Sequence, residues 1–511
     1  VTVGAQRLVV GGLIGLALVL RLYLVVSTAY VWDEDREWIP LGHAITLADE
    51  PRYLPWRSLS HPALSAYLVK ATSALLGDHP MGNRIGFVIA GTLTVLAVTL
   101  LAWEWLGFGG AVVAALVLGL NEYHLGVSAF ATEKSPYLMW SAWACLCLGR
   151  FLLRERPGWL YLAAAAAGLA FLFKETAGLL LPVFLLALVA AGRAAWLRRP
   201  EMWVAAGIGG AVVLPDVIWN IRHWDQGLGL HTGRVQGLGL TLHYLLFFGR
   251  DLARDLAHTL GLRFFDPVDE YPAMNAAWGL VLVLSAATAA WQWKRLPPVG
   301  RLSAIWFWSV LGFFVFTEPA APRLIEGTGL MVDTKAWFWV DQLLVPGALL
   351  ASWLVVRFDA SWRLWTMGAV VACSALSTAA VFQNAIGLPS MAVAMSPNVI
   401  APGARDPVAV RASVFTCQRC DASARLVAVR VNRFDGRGPT AALPGDVAGA
   451  DIGSDDRDFV VLTDAAGGER QFLFDYTPGA GPGGPSSSMP VVSGRVSITT
   501  RRIPEPFWRR R

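Results

Sequence analysis

Apolar runs of bilayer-crossing length recur along the first 383 residues, and no other feature restricts the fold so tightly. Hydrocarbon offers no water to backbone N–H and C=O groups, so each run must close its hydrogen bonds on itself as a helix. The runs fall at 8–28, 82–103, 110–128, 136–153, 159–173, 176–192, 202–219, 276–293, 302–317, 337–356 and 364–383. Most reach the roughly 17–25 residues that a spanning helix needs, which predicts about eleven helices. Residues 159–192 read either as a broken hairpin or as one long tilted helix. The first run is too long for a signal-peptide core and lacks a small-x-small cleavage site, so it reads as a retained helix. Composition agrees with a polytopic membrane protein. Only 15% of residues are charged, against roughly 25% in soluble domains. The net charge of +5 comes from basic residues scattered between apolar runs, which excludes the basic stripe of a nucleic-acid binder.

Basic residues of short loops set orientation. With the N-terminus inside, the cytoplasmic loops hold Arg150 to Arg156, Arg193 to Arg199, Lys294 to Arg301 and Arg357 to Arg363. Acids, histidines and mixed charges gather in the opposite loops, above all 30–80 and 220–275. Loops of that length usually carry function. Two amphipathic helices are expected in the first, at 34–47 and 61–76, and similar character recurs around 242–260. After a linker at 384–400, residues 401–511 turn rich in Gly, Pro, Asp and Arg, with short β-like runs. They read as a small extracytoplasmic β-rich domain. Cys417 and Cys420, in a lone Cys-x-x-Cys without nearby histidines, then suit a short-loop disulfide better than zinc.

The chemistry-bearing residues share one membrane face. Val31-Trp32-Asp33-Glu34-Asp35-Arg36-Glu37-Trp38 places four carboxylates in five positions at the mouth of the first helix. The stretch reads as a solvated cap between interfacial tryptophans, or as a source of a general base, with Asp33 first and Glu34 next. Arg21, twelve residues earlier within that helix, costs about 2.5–3.5 kcal/mol if it sits at mid-membrane. It either snorkels to the interface or partners the acids. His61 precedes the second amphipathic run, and Glu133 opens a helix, where a negative charge suits the dipole's positive end. Lys174 lies between two apolar runs, and His231 and Arg234 lie in the long second loop. Cations facing carboxylates at one face suit a phosphate-bearing substrate.

The order of these motifs resembles the GT-C superfamily of membrane glycosyltransferases, in the branch of protein O-mannosyltransferases, aminoarabinose transferases and galacturonosyltransferases. The matching parts are Arg21-Leu22-Tyr23 before Asp33-Glu34, Ser60-His61-Pro62 before Leu76-Gly77-Asp78, and Gly82-Asn83-Arg84. They continue with Glu133-Lys134-Ser135-Pro136, Phe173-Lys174-Glu175-Thr176 before Leu181-Pro182, and His231-x-x-Arg234. The resemblance covers residues 8–383 and leaves the tail unmatched. It implies a GT-C-like catalytic domain over residues 1–383 and a polyprenyl-phosphate-linked sugar donor. The acceptor, a glycan, lipid or protein, is met on the extracytoplasmic side of the cell membrane, with inversion at the sugar carbon. Asp33 would activate the acceptor, with Glu34 beside it, while Lys174, Arg234 and Arg21 would hold the donor phosphate. His61 and His231 would hold a divalent metal cation. Glu133 would serve the acceptor side, although it stands three positions before the proline where the family's acid is adjacent. Two other classes compete. A flippase or transporter of lipid-linked sugars would show repeated halves, and none is visible here. A non-catalytic cell-envelope assembly protein would use the tail for docking.

Overall fold

The computed structural model describes residues 2–27, 34, 38–45, 62–222, 276–317, 320–325, 330–335 and 341–384, together with eight tail strands between 390 and 502. Asp33, His61, His231, Arg234, Cys417 and Cys420 lie outside the described residues. The helices are α1 (Val3–Ser27), α2 (Ile39–Ala44), α3 (Leu64–Leu76), α4 (Pro80–Gly119), α5 (Glu122–Ala129), α6 (Lys134–Arg154) and α7 (Pro157–Phe173). They continue as α8 (Leu180–Ala190), α9 (Pro200–Arg222), α10 (Ala276–Trp291), α11 (Pro298–Thr317), α12 (Asp341–Arg357) and α13 (Ala360–Asn384). Each apolar run of the sequence carries helix. Among the described residues α1, α4, α6 and α9 are long and apolar enough to cross a membrane on their own, and α3, α7, α8 and α10 are shorter apolar helices. The chain is an integral membrane protein.

Two breaks give the bundle its shape. Gly107 sits inside α4 at φ 75° and ψ −165°, a left-handed conformation that only glycine adopts cheaply. A straight helix would carry Val95 and Gly119 roughly 36 Å apart. Instead a Cβ on Gly119 would stand 3.5 Å from a Val95 methyl, so α4 folds back on itself, as the separate runs 82–103 and 110–128 anticipate. The second break is Lys174, extended at φ −155° and ψ 124°. It ends α7 and hands the chain to a short 3₁₀ turn, Glu175–Leu179, before α8. The 159–192 stretch is therefore broken rather than one tilted helix. Beyond the break the two halves choose different neighbours: α7 packs on α6 and α9, and α8 on α11. α9 leaves Trp203, Leu214 and Ile221 exposed, a face suited to hydrocarbon.

The chain divides into two units. One comprises Val1–Arg21, Phe87–Ser128 and Glu133–Asn384, the other Leu22–Gly86, Ala129–Thr132 and Ala385–Arg511. In the second, α2 and α3 are the two short helices expected in the first long loop. Trp38, Leu41 and Ile45 bury themselves against Ala63 and Ala66. Glycines permit the close approach: a Cβ on Gly42 would lie 2.6 Å from Val69. Gly77 closes α3 at φ 93°, and a Cβ on Gly82 would lie 1.9 Å from the Gly77 carbonyl oxygen. Asn83 Nδ2 donates to Asp78 Oδ1 at 3.1 Å. The Leu76-Gly77-Asp78 and Gly82-Asn83-Arg84 motifs thus form one tight corner that delivers Arg84 inward. The tail strands pair in two sheets of four, one ordered Ser390–Ser396, Val408–Thr416, Gly494–Arg502 and Ala450–Ile452, the other Pro439–Pro444, Ala428–Arg433, Asp458–Thr463 and Glu469–Leu473, and in the first Val408–Thr416 and Gly494–Arg502 run parallel.

Candidate active site

Three helix ends of the first unit meet at Lys174. Its Nζ lies 3.4 Å from Glu133 Oε1 and 3.5 Å from Asp341 Oδ2. The Lys174 and Asp341 side chains are 1% and 0% exposed. Each charge sits where its helix favours it: Glu133 is the N-cap of α6 and Asp341 the first residue of α12, both at positive dipole ends. Lys174 is the C-cap of α7, at a negative one. Burial alone would lower the Lys174 pKa, but Asp341 and Glu133 outweigh it and raise it above the ordinary lysine value. The two carboxylates thus favour the charged ammonium. The Tyr137 ring lies 5.8 Å from Nζ, and its hydroxyl donates to Gln342 Oε1 at 3.0 Å. Gln342 in turn donates through Nε2 to Thr176 Oγ1 at 3.1 Å and through its backbone N–H to Asp341 Oδ1 at 2.9 Å.

The far ends of the same helices are basic. Arg150 and Arg154 of α6 clasp Glu104 at 2.6 and 2.9 Å, and Arg193 pairs with Glu155 at 2.5 Å. Arg357 closes α12 over the Trp353 ring. Arginines caught by acids and tryptophans at one end, and an acid–lysine cluster at the other, reproduce the segregation read from the loops.

In the second unit Glu34 is fully buried and clamped. Arg84 donates to it as a two-pronged fork, Nε to Oε1 at 2.7 Å and Nη2 to Oε2 at 2.6 Å. The Ala131 backbone N–H adds a bond to Oε1 at 2.6 Å. The guanidinium also reaches the Val25 carbonyl at 3.1 Å and covers the Phe130 ring at 5.3 Å. Bidentate charge-assisted pairing of this kind is directional and strong. Both oxygens of Glu34, expected as the second candidate base, are thus held by fixed donors.

Arg21 also departs from expectation. Inside α1 it donates through Nη1 to the Ala17 and Gly119 carbonyls at 2.8 and 3.2 Å, and through Nη2 to His124 Nδ1 at 2.6 Å. A guanidinium only donates, so Nδ1 accepts and His124 carries its proton on Nε2. The break between α4 and α5 exposes the Gly119 carbonyl, and a buried cation takes the nearest acceptors. Those acceptors are carbonyls and an imidazole. Gly91 makes the room, since a Cβ there would lie 2.2 Å from Ser128 Oγ and 3.1 Å from Arg21 Nε.

Of the residues expected at the site, the structure brings Glu133 and Lys174 together and gives Glu34 and Arg21 separate partners. Asp341, Tyr137, Gln342 and Arg84 were not expected there. Asp341-Gln342 at the head of an apolar run, at the same face as Lys174, was the available signal for two of them. Among the described residues no group of three or more His, Cys, Asp or Glu converges to hold a metal ion. No step below runs through one.

Known proteins supply the last observation. Residues 60–219 match the family of dolichyl-phosphate-mannose-protein mannosyltransferases. ArnT of Cupriavidus metallidurans bound to undecaprenyl phosphate superposes with a TM-score of 0.52 at 16% identity, over 72% of this chain and 64% of that one. Its apo form gives 0.51 at 15% identity, with the same coverage of each chain. The arabinosyltransferase EmbB of Mycobacterium smegmatis gives 0.39 at 13%, over 73% of this chain and 40% of that one. The chain thus spans less than two thirds of the ArnT length. Curated protein sequences show no match.

Proposed function

We propose that this chain is a membrane glycosyltransferase of the GT-C kind, moving a sugar from a polyprenyl-phosphate-linked donor to an acceptor on the extracytoplasmic side. The observation that carries the reading is the buried Lys174 at the junction of three helix ends, opposite the basic ends. A fixed cation there can hold the phosphate of the lipid-linked donor. The undecaprenyl phosphate of the ArnT structure supports the same lipid class here.

In this reaction Asp33 takes the proton of the acceptor hydroxyl or amine. The acceptor atom then attacks the sugar carbon from the face opposite the phosphate. The bond from that carbon to the phosphate oxygen breaks, the phosphate keeps the electron pair, and the configuration inverts. Lys174 and Arg234 hold the phosphate, Glu133 lines the acceptor side, and Arg84 through Glu34 keeps the acidic loop in place. A divalent cation at His61 and His231 belongs to the same proposal, as does a β-rich tail domain outside the membrane.

The test is transfer of radiolabelled sugar from polyprenyl-phosphate sugars by protein in nanodiscs, with and without EDTA, beside mass spectrometry of co-purified lipid. A bound polyprenyl phosphate or its glycoside, with transfer, is the expected result. Chelator-resistant turnover would remove the cation. One observation favours a second reading: a charged residue at a helix break, as at Lys174, also suits a flippase of lipid-linked sugars. Translocation of donor in proteoliposomes without any transfer would select it.

The topology gives a separate expectation. A reporter after Arg301 should be cytoplasmic and one at the C-terminus outside, where Cys417 and Cys420 should resist alkylation until reduced. Ready labelling of both cysteines in native protein would remove the disulfide.

A further inference from the structure

Lys174 is one cation between two anions. Glu133 approaches it from the head of α6 and Asp341 from the head of α12, each where a helix dipole favours negative charge. The Asp341 carboxylate is also pinned by the Gln342 N–H. Neither acid can swing away without giving up its place at a buried helix end. Resting on the reading above, a phosphate that reaches Lys174 meets the fields of both carboxylates as well as the ammonium.

That arrangement treats substrate and product differently. The donor is a phosphodiester and carries one negative charge. Transfer forms the bond from acceptor oxygen or nitrogen to the sugar carbon and breaks the bond from that carbon to phosphate oxygen. The acceptor proton goes to Asp33, and the released lipid phosphate is a monoester with about −1.5 to −2 charge at neutral pH. The added charge appears beside Glu133 and Asp341. We propose that Asp341, together with Glu133, makes the Lys174 site selective for a singly charged phosphodiester over the more highly charged monoester, so that the spent lipid phosphate is expelled after each transfer. Asp341 is then a specificity-determining residue that acts by charge.

The experiment compares two probes, undecaprenyl phosphate and its methyl ester, which is a diester of the same lipid. Their dissociation constants are measured by native mass spectrometry on full-length protein in nanodiscs. The ratio of monoester to diester Kd cancels differences in active fraction between preparations. Asp341→Asn, which keeps the hydrogen-bonding shape, should lower this ratio about 10- to 100-fold, since an added half to one charge some 5–6 Å away at an effective dielectric near 20 has that order of effect. Glu133→Gln should act in the same direction, and it carries the test alone if Asp341→Asn does not insert. Lys174→Ala should weaken both probes. A ratio unchanged in both acid variants, with both lipids still bound, would overturn the inference and leave Asp341 a helix-end anchor. Failure of the wild-type protein to bind either lipid would instead overturn the donor assignment.

Discussion

Asp33→Asn is expected to lower turnover about 10²–10⁴-fold, the usual contribution of a positioned general base, while the protein still inserts and binds donor. Asp33 is the first carboxylate beyond α1 and is bonded directly to Glu34, which Arg84 and the Ala131 N–H hold. Asp35→Asn and Glu37→Gln, which lie further from the end of α1 along the chain, should be far milder. The measurement is single-turnover transfer from a polyprenyl-phosphate sugar, with donor binding followed separately. Wild-type turnover in Asp33→Asn would remove it from the mechanism. Lost donor binding would make it part of the donor site.

The second large effect is structural. Glu34→Ala leaves the Arg84 guanidinium buried without its carboxylate. Breaking one side of such a pair typically costs about 3–5 kcal/mol, because the remaining charge has no compensation. Thermal unfolding in detergent should therefore begin at markedly lower temperature, and activity should fall with it. Glu34→Gln, which keeps an acceptor oxygen for the fork, should fall between the two. Replacing both partners together, as Glu34→Leu with Arg84→Met, should recover much of the stability, since the unpaired charge is gone. Activity should stay low in the double variant, because the apolar pair packs but does not aim the loop. Full activity there would show that the clamp serves stability alone. An unaltered unfolding profile in Glu34→Ala would show that Arg84 finds another acceptor at no cost.

Much of the frame was readable because its causes are local. A run of apolar side chains becomes a helix in lipid whatever surrounds it, so 136–153 and 202–219 fall within α6 and α9. Gly107 marks its break by being a glycine between two apolar runs. The charge bias of the loops put Glu133 and Lys174 at one face before any contact was known, and their 3.4 Å approach follows that bias. Glu34 shows where such reasoning stops. As one of four acids in a row it looked interchangeable with Asp33, and Arg84 was only the last residue of a short motif. Nothing local distinguishes an acid that will be enclosed by a guanidinium from one that will meet an acceptor.

The sequence by itself determined a helical integral membrane chain, the break between its second and third apolar runs, and the gathering of its ionisable residues opposite its basic loops, while the break at Lys174 was decided by the structure. Tertiary structure alone decided which charge pairs with which. Asp341 reaches Lys174 across 167 positions and Arg84 reaches Glu34 across 50. Arg21 meets His124 across 103 rather than the acids twelve residues away. Buried charges must find partners where water is excluded. The partner is whichever group the packed helix ends bring within reach, and helix packing is a property of the whole bundle.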